Sequence, residues 1–402
     1  MSLDLTTFAA ALKQHYTSDR VENMVYADNP LLALMPKYEQ FGGDNLKLPV
    51  KHGIPQGRSA NFATAQSNKT NTQLKAFLLT RDRDYSLASI DNETIEASKG
   101  NANAFIEAAT TEIDGAIESA TRSIAIAMYG SGSGSIGQVA SSATGTSMQL
   151  KNVEDVTNFE VGMELVVSVA DGGGAVKSGT VTVNGVDRDS GLVTVDSMTA
   201  IDGGTGVVAD DYVFVEGDYD SKIKGLRAWL PDTAPSVSDN FFGVNRSADA
   251  TRLGGIRFDG SSMPIEEALI SAAARVAREG GKPDYCFMSY AKFADLEKAL
   301  GSKVQYIDAH ASAEIGFRGI LIHGPRGSIK VIADQNCPDD RAFMLSMSFW
   351  KLYSLGKCPK ILDSDGLKFL RESSADAVEV RVGYYAQMGC RAPGYNANIK
   401  LD

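Results

Sequence analysis

The chain has 402 residues, 43% of them hydrophobic and 22% charged, with a formal net charge of −11. This is ordinary globular composition, and the length suits two or three domains with separate cores. An acidic chain lacks the basic bias with which sequence readers grip phosphates, which disfavours a direct nucleic-acid reader. No run reaches the roughly 18 apolar residues that span a bilayer. Met1-Ser2-Leu3-Asp4 lacks the basic and apolar regions of a signal peptide, so the chain is expected to be made and used inside a cell. The Asn-x-Ser/Thr triplets at Asn68, Asn92 and Asn245 are then chance matches. Cys286, Cys337, Cys358 and Cys390 lie far apart with no CxxC pair and read as thiols of a reducing cytoplasm.

In residues 3–16, Leu5, Phe8, Ala9 and Leu12 share one helical face. A short apolar stretch, 30–35, is bounded by Pro30 and Pro36. Residues 41–66 are rich in Gly, Asn, Gln and Pro, and are expected as extended chain lying on something else, with no long periodic element. Two strand-like runs, 77–80 and 85–90, flank Arg81-Asp82-Arg83-Asp84 and together predict a long two-stranded ribbon. The clearest helix spans 101–129. Phe105, Ile106, Ala109, Ile113, Ala116, Ile117, Ala120, Ile124 and Met128 keep a three–four spacing, with Glu107, Glu112 and Glu118 off that stripe. Arg122 sits nearer the C-terminal end, where the helix dipole favours a cation. At 1.5 Å per residue such a helix is about 40 Å long and reads as a spine. Gly130-Ser131-Gly132-Ser133-Gly134-Ser135 stops it.

Composition then shifts to Gly, Val, Thr and Asp over 136–219. Strand-like runs at 164–169, 179–186, 191–195 and 212–215, with a hairpin turn at 186–191, predict a small β-barrel or sandwich. The Gly-Ser segment at its start argues for insertion into another domain. After residue 223 the pattern is mixed α/β. A helix over 264–279 places Ile265, Ala268, Leu269, Ala272 and Val276 on one face, with Ser262 as N-cap, Pro264 near the first turn and Gly280-Gly281 as its end. A buried strand at 285–288 leads to a second helix, capped by Ser289, running to Leu300 and ended by Gly301. Strands follow at 320–322 and 329–332, then a strand-rich stretch over 342–385 in which 378–382 alternate.

Motifs for chemistry are weak. Gly132-Ser133-Gly134-Ser135-Ile136-Gly137 matches GxGxxG, but a helix precedes it and a β-rich region follows, the reverse of a dinucleotide site. No GxxxxGK[ST], HExxH or GxSxG occurs. His15, His52, His310 and His323 pair at no metal-ligand spacing. Asp187-Arg188-Asp189-Ser190-Gly191 and Asp363-Ser364-Asp365-Gly366 resemble fragments of calcium loops, lack the Glu at position 12, and read as turns. No catalytic, cofactor or metal residues are therefore assigned. Arg81, Asp82, Arg83 and Asp84 alternate in charge, either as a solvated face or as salt bridges between subunits that fix register.

The order of these features, and several phrases, resemble one family. Asn29-Pro30-Leu31-Leu32-Ala33-Leu34-Met35-Pro36-Lys37 is similar to its N-terminal arm, and Pro55-Gln56-Gly57-Arg58-Ser59-Ala60 with Ala65-Gln66 to its E-loop. Ile113-Asp114-Gly115-Ala116 falls in its spine helix. Asp334-Gln335-Asn336-Cys337-Pro338 and Asp363-Ser364-Asp365-Gly366-Leu367 are similar to its late segments, and Val378-Glu379-Val380-Arg381 and Gln387-Met388-Gly389-Cys390-Arg391-Ala392-Pro393-Gly394 to its close. The chain resembles the HK97-like major capsid proteins of tailed bacteriophages throughout, apart from 136–219.

The resemblance implies an α+β chain with an HK97-like capsid fold: N-terminal arm 1–44, E-loop 45–92, P-domain spine helix 93–135, an inserted small all-β domain 136–221, A-domain 222–341, and P-domain return strands 342–402. It implies a non-enzymatic subunit without cofactors that assembles with itself through hexamers and pentamers into an icosahedral head around double-stranded DNA. That DNA is held without sequence-specific binding, and an acidic inner wall suits it. Arm and E-loop reach over neighbours, with Pro30, Leu31, Leu32 and the 81–84 cluster as candidate contacts between subunits. The arm and E-loop, and the A-domain as a rigid body, are expected to move during head expansion. No long charged helical segment precedes the arm, so a separate scaffolding protein is expected beside portal and decoration proteins. The alternatives are an encapsulin-like compartment of the same fold, a hydrolase with an inserted β-domain, and a tail-tube protein, against which the long helix counts.

Overall fold

The computed structural model describes residues 28–92, 102–143, 145–201, 206–301, 306–310, 316–363, 370–371 and 375–401, with backbone alone for 102–110, 306–310 and 316–318. The helix expected over 3–16 and the turn at 363–366, beyond Asp363, lie outside the described residues, as do the side chains of Phe105, Ile106 and Ala109.

The long helix is Ala102–Tyr129, 28 residues. Ile113, Ile117, Ala120, Ile124 and Met128 are buried. The helix lies on two strands, Asp82–Asp91 and Ala377–Cys390. The latter, 14 residues long, organises a six-stranded sheet. It pairs antiparallel with Asp82–Asp91 from Ala377↔Asp91 to Ala386↔Asp82, and with Trp350–Ser354 near its end. Lys37–Tyr38 adds to Trp350–Ser354 in parallel.

The two runs flanking the charged cluster do not pair with each other. Only Arg81 separates Gln73–Thr80 from Asp82–Asp91, and a chain reversal needs at least two residues. Gln73–Thr80 instead pairs with Asn45–Gly53, where Leu48 and Val50 are buried and Lys47, Pro49 and Lys51 exposed. So the segment expected as irregular extended chain holds a nine-residue strand. Its Pro49 is tolerated because a two-stranded ribbon leaves an open edge. A short helix, Phe62–Ser67, follows, with the Asn61 side chain accepting from the Ala63 and Thr64 amides.

A seven-stranded mixed sheet carries the helices Ile265–Arg278 and Tyr290–Leu300. Ala268, Leu269, Ala272 and Val276 are buried in its core. Pro264, not Ser262, occupies the N-cap of the first helix, without a side-chain cap; Glu266 and Glu267 supply first-turn negative charge instead. Ser289 caps the second helix by accepting from the Lys292 amide at 3.2 Å. Arg341–Leu345 and the last strand, Ala397–Lys400, are both members of this sheet, so the boundary expected between 341 and 342 falls inside a strand.

Six antiparallel strands lie between the long helix and this sheet in sequence, from Ser135–Gln138 to Tyr212–Val215. Their outer members are bridged: Ala140 N–H donates to Gln149 O (2.9 Å) and Lys151 N–H to Gln138 O (2.7 Å). The sheet thereby closes into a barrel without free edges. Leu150, Phe159, Val167, Val183, Val193 and Val213 fill a core of its own. Chain entry and exit are adjacent, since Asp220 N–H donates to Ser133 O at 2.7 Å. The Gly-Ser segment is latched: Asp171 Oδ1 accepts from Ser133 Oγ (2.5 Å) and Ser135 Oγ (2.7 Å), and Oδ2 from Ser131 Oγ (3.3 Å). The returning chain passes so close to the long helix that a Cβ on Gly225 would stand 2.3 Å from Ala127 O.

Candidate functional site

Four features bear on function. The first is a buried anchor around Leu31. Leu31 and Leu32, on the five-residue helix Pro30–Leu34, are buried with Pro30 in this subunit's own core. Asp334, wholly buried, accepts from Leu31 N–H (3.3 Å), Tyr129 OH (2.8 Å) and Asn336 N–H (3.0 Å). Burial raises its carboxyl above the usual range, against these hydrogen bonds. Burial, then the Asp334 charge, pushes the Tyr129 phenol well up. Pro30, Leu31 and Leu32 thus tie the segment 30–34 to the long helix within the chain.

The second feature is the charged cluster. On a strand its residues alternate sides. Arg81 Nη1 donates to Phe41 O (2.5 Å) and its guanidinium lies 4.9 Å from that ring. Asp82 accepts from Gln387 Nε2 (2.7 Å). Asp84 Oδ2 accepts from Lys222 Nζ (2.6 Å), Ser123 Oγ (2.5 Å) and Tyr384 OH (3.3 Å). Lys222, itself buried, also pairs with Asp218 at 3.0 Å. Burial raises Asp82 and Asp218, with Lys224 and Lys222 respectively opposing. Three of the four cluster residues therefore make contacts inside the subunit, and Arg83 faces solvent.

The third feature is the ribbon. At its base Phe77 packs edge-on against Trp229 (5.0 Å between centroids) and Phe241 (5.9 Å), and Trp229 Nε1 donates to Met388 O at 3.0 Å. Arg252 Nη1 donates to His52 O at 2.8 Å. Beyond that tether residues 54–76 are exposed, apart from half-buried Gly57 and Ala65. Phe62 is 81% exposed, Leu74 62% and Ile54 57%. Residues 45–80 hold Lys47, Lys51, Arg58, Lys69 and Lys75 and no acidic residue.

The fourth is a cleft of about 630 Å³ between the long helix and the barrel. Ile126, Val161, Met163 and Val215 supply apolar lining, and Glu118, Glu160, Glu216 and Asp218 the acidic part. Arg122 spans it, pairing with Glu160 (2.5 Å) and Glu118 (3.3 Å). Partial burial acts to raise Glu160, but Arg122 and Arg188 outweigh it and hold that carboxyl low. Glu216 is held above its ordinary value by a hydrogen bond with Glu164 and by its charge.

Residues 207–369 match the family model of the SU10 major capsid protein. Over 93% of both chains, at 13% identity and a TM-score of 0.56, the fold is that of a chain in the cyanophage A-1(L) capsid asymmetric unit. The chain has the HK97-like fold of phage capsid chains. Chains from a native GTA particle capsid (9% identity, 92% and 89% coverage, TM-score 0.46) and from Mycobacterium phage Bobi (10%, 93% and 91%, 0.42) also match. No curated protein sequence matches.

In this chain, sequence reasoning missed the residues that fasten the projecting parts: Trp229, Asp334, Lys222 and Tyr384. Their partners lie far off in sequence, as Lys222 does from Asp84 (138 residues) and Tyr384 from Asp84 (300 residues). The available signal was strand alternation, which puts Asp82 and Asp84 on one side and Arg83 on the other.

Proposed function

We propose that this chain is a major capsid protein of a tailed bacteriophage, which assembles with itself, through hexamers and pentamers, into an icosahedral head shell that encloses double-stranded DNA. The role is structural, without catalysis or cofactor. Residues 45–80 serve as the E-loop. The long helix and six-stranded sheet serve as the P-domain, the seven-stranded sheet as the A-domain, and the barrel as an inserted domain. The observation that carries this reading is the ribbon tip: Phe62, Leu74 and Ile54 stand in solvent on a segment with almost no burial of its own. Such a segment gains its apolar burial by binding another copy. Arg83, Tyr85 and Leu87, on the outer side of Asp82–Asp91, are further contact candidates. Assembly takes place in the host cytoplasm with a separate scaffolding protein, and portal and decoration proteins complete the particle. DNA is enclosed without base-specific contacts, in keeping with the net charge of −11.

Negative-stain microscopy of the purified protein, alone and with its scaffolding partner, tests this. Closed shells or capsomer rings are expected. Monomers that stay inert with the partner present would overturn the reading.

A further inference from the structure

We propose that the end of the helix Ile265–Arg278, with the hairpin turn 324–327 beside it, is a basic seat that takes an acidic corner of the barrel of a second copy. This rests on the shell reading and deepens it, because it gives the barrel a partner in assembly. Charge is unevenly spread along the chain. Residues 136–219 hold 13 acidic and three basic residues, so nearly all of the net charge of −11 belongs to the barrel. The three basic residues are engaged inside it: Lys151 pairs with Asp210 (2.5 Å), Lys177 with Asp211 (2.6 Å) and Arg188 with Glu160 (3.0 Å). The corner is built from the turn 187–191 and the short helix Val153–Asn158. The two touch: a Cβ on Gly191 would stand 3.1 Å from Val153 Cα. Glu154, Asp187 and Asp189 are exposed there, and none of them forms an ion pair among the described residues. Hydrogen bonds from Ser190 Oγ (2.6 Å) and Asp189 N–H (3.1 Å) hold the Asp187 carboxyl below its ordinary range, so it stays charged. Val153, 40% exposed, adds an apolar contact at the same corner.

The seat has the opposite charge. Arg275 and Arg278 lie in the last helical turn, where the dipole favours cations, and each has a partner. The Arg275 guanidinium lies 4.8 Å from the Phe258 ring, and Arg278 pairs with Glu279 at 3.2 Å. Lys282 and Arg326 lie beyond the helix, are exposed, and form no ion pair among the described residues. They belong to one patch. A Cβ on Gly327 would stand 3.1 Å from Lys282 Cε, and one on Gly280 3.8 Å from Arg326 Nη1. Ala277, Pro283 and Pro325 line a shallow groove there. A phosphate backbone needs the charge alone, whereas an apolar floor suits a protein surface that carries a residue such as Val153. Opposite charges across such an interface fix its register and exclude wrong partners.

Engineered cysteines test this in assembled particles. The four native thiols are all buried and do not compete. One set of subunits carries Lys282→Cys or Arg326→Cys, the other Glu154→Cys or Asp189→Cys, all at exposed positions. Mixed shells of one seat variant with one corner variant are expected to give disulfide-linked dimers under mild oxidation. A charge test runs beside it. Lys282→Glu with Arg326→Glu is expected to lower shell yield about tenfold, and Glu154→Lys with Asp189→Lys in the same subunits to restore most of it. The unfolding midpoint of the free subunit is expected to stay the same throughout. Shells that form without a link in any of the four pairings would overturn the seat and leave the capsid reading standing. Protection of Lys282 from acylation in DNA-filled shells but not in empty ones would also overturn it, with DNA as the occupant. Failure of the wild-type protein to assemble with its scaffolding partner would remove both readings.

Discussion

The base and the tip of the ribbon belong to the same pair of strands and are opposites in their surroundings. At the base, Phe77 and Leu79 are fully buried, Phe77 against Trp229 and Phe241. At the tip, Phe62 and Leu74 are mostly in water. Hydrophobic side chains occur at both ends, so composition does not separate them. The difference is that the base has its partners within the chain and the tip has none among the described residues. On the proposed reading a subunit built this way completes its burial in the assembly: the base fixes where the ribbon starts, and the tip stays available for a neighbour.

Two substitutions sharpen that contrast. Trp229→Ala removes the centre of the aromatic cluster and an indole hydrogen bond, and is expected to destabilise the isolated subunit by about 3–5 kcal/mol. Denaturant midpoints measure this, and a loss below about 1 kcal/mol would mean that the base is not an anchor. Phe62→Ser is expected to shift the same midpoint by no more than about 0.5 kcal/mol, as for an exposed side chain, while sharply reducing shell yield by light scattering. A large loss of subunit stability would show that Phe62 is packed within its own chain.

Much of the fold was legible in local pattern. The three–four stripe Ile113, Ala116, Ile117, Ala120, Ile124 marked the long helix and its buried face, because a helix of many turns repeats its signal. Strand-length runs between Gly-rich turns marked four of the six barrel strands. What failed was pairing. Runs 77–80 and 85–90 looked like a hairpin, yet each takes a partner remote in sequence, Asn45–Gly53 and Ala377–Cys390. Strand alternation shows which side is buried but not against what. Ser262 looked like an N-cap by residue type, and the chain enters the helix two residues later, at Pro264.

The candidate contacts were legible only in part for the same reason. Asp82 and Asp84 read as a solvated face or as salt bridges between subunits because their partners, Gln387, Tyr384 and Lys222, lie on distant segments. Leu31 and Leu32 read as contacts between subunits, and the structure places them on the subunit's own core, under the Asp334 carboxylate. Residues 41–66 were expected as extended chain lying on something else, and neither the strand Asn45–Gly53 nor the short helix Phe62–Ser67, capped by Asn61, was legible.

Amide hydrogen exchange, compared between free subunit and assembled shell, tests the central claim most directly. The account predicts fast exchange over 54–76 in the free subunit and strong protection in the shell, with Phe77 and Leu79 protected in both. Equal protection of 54–76 in the two states would contradict it, because the tip would then have its partners within its own chain.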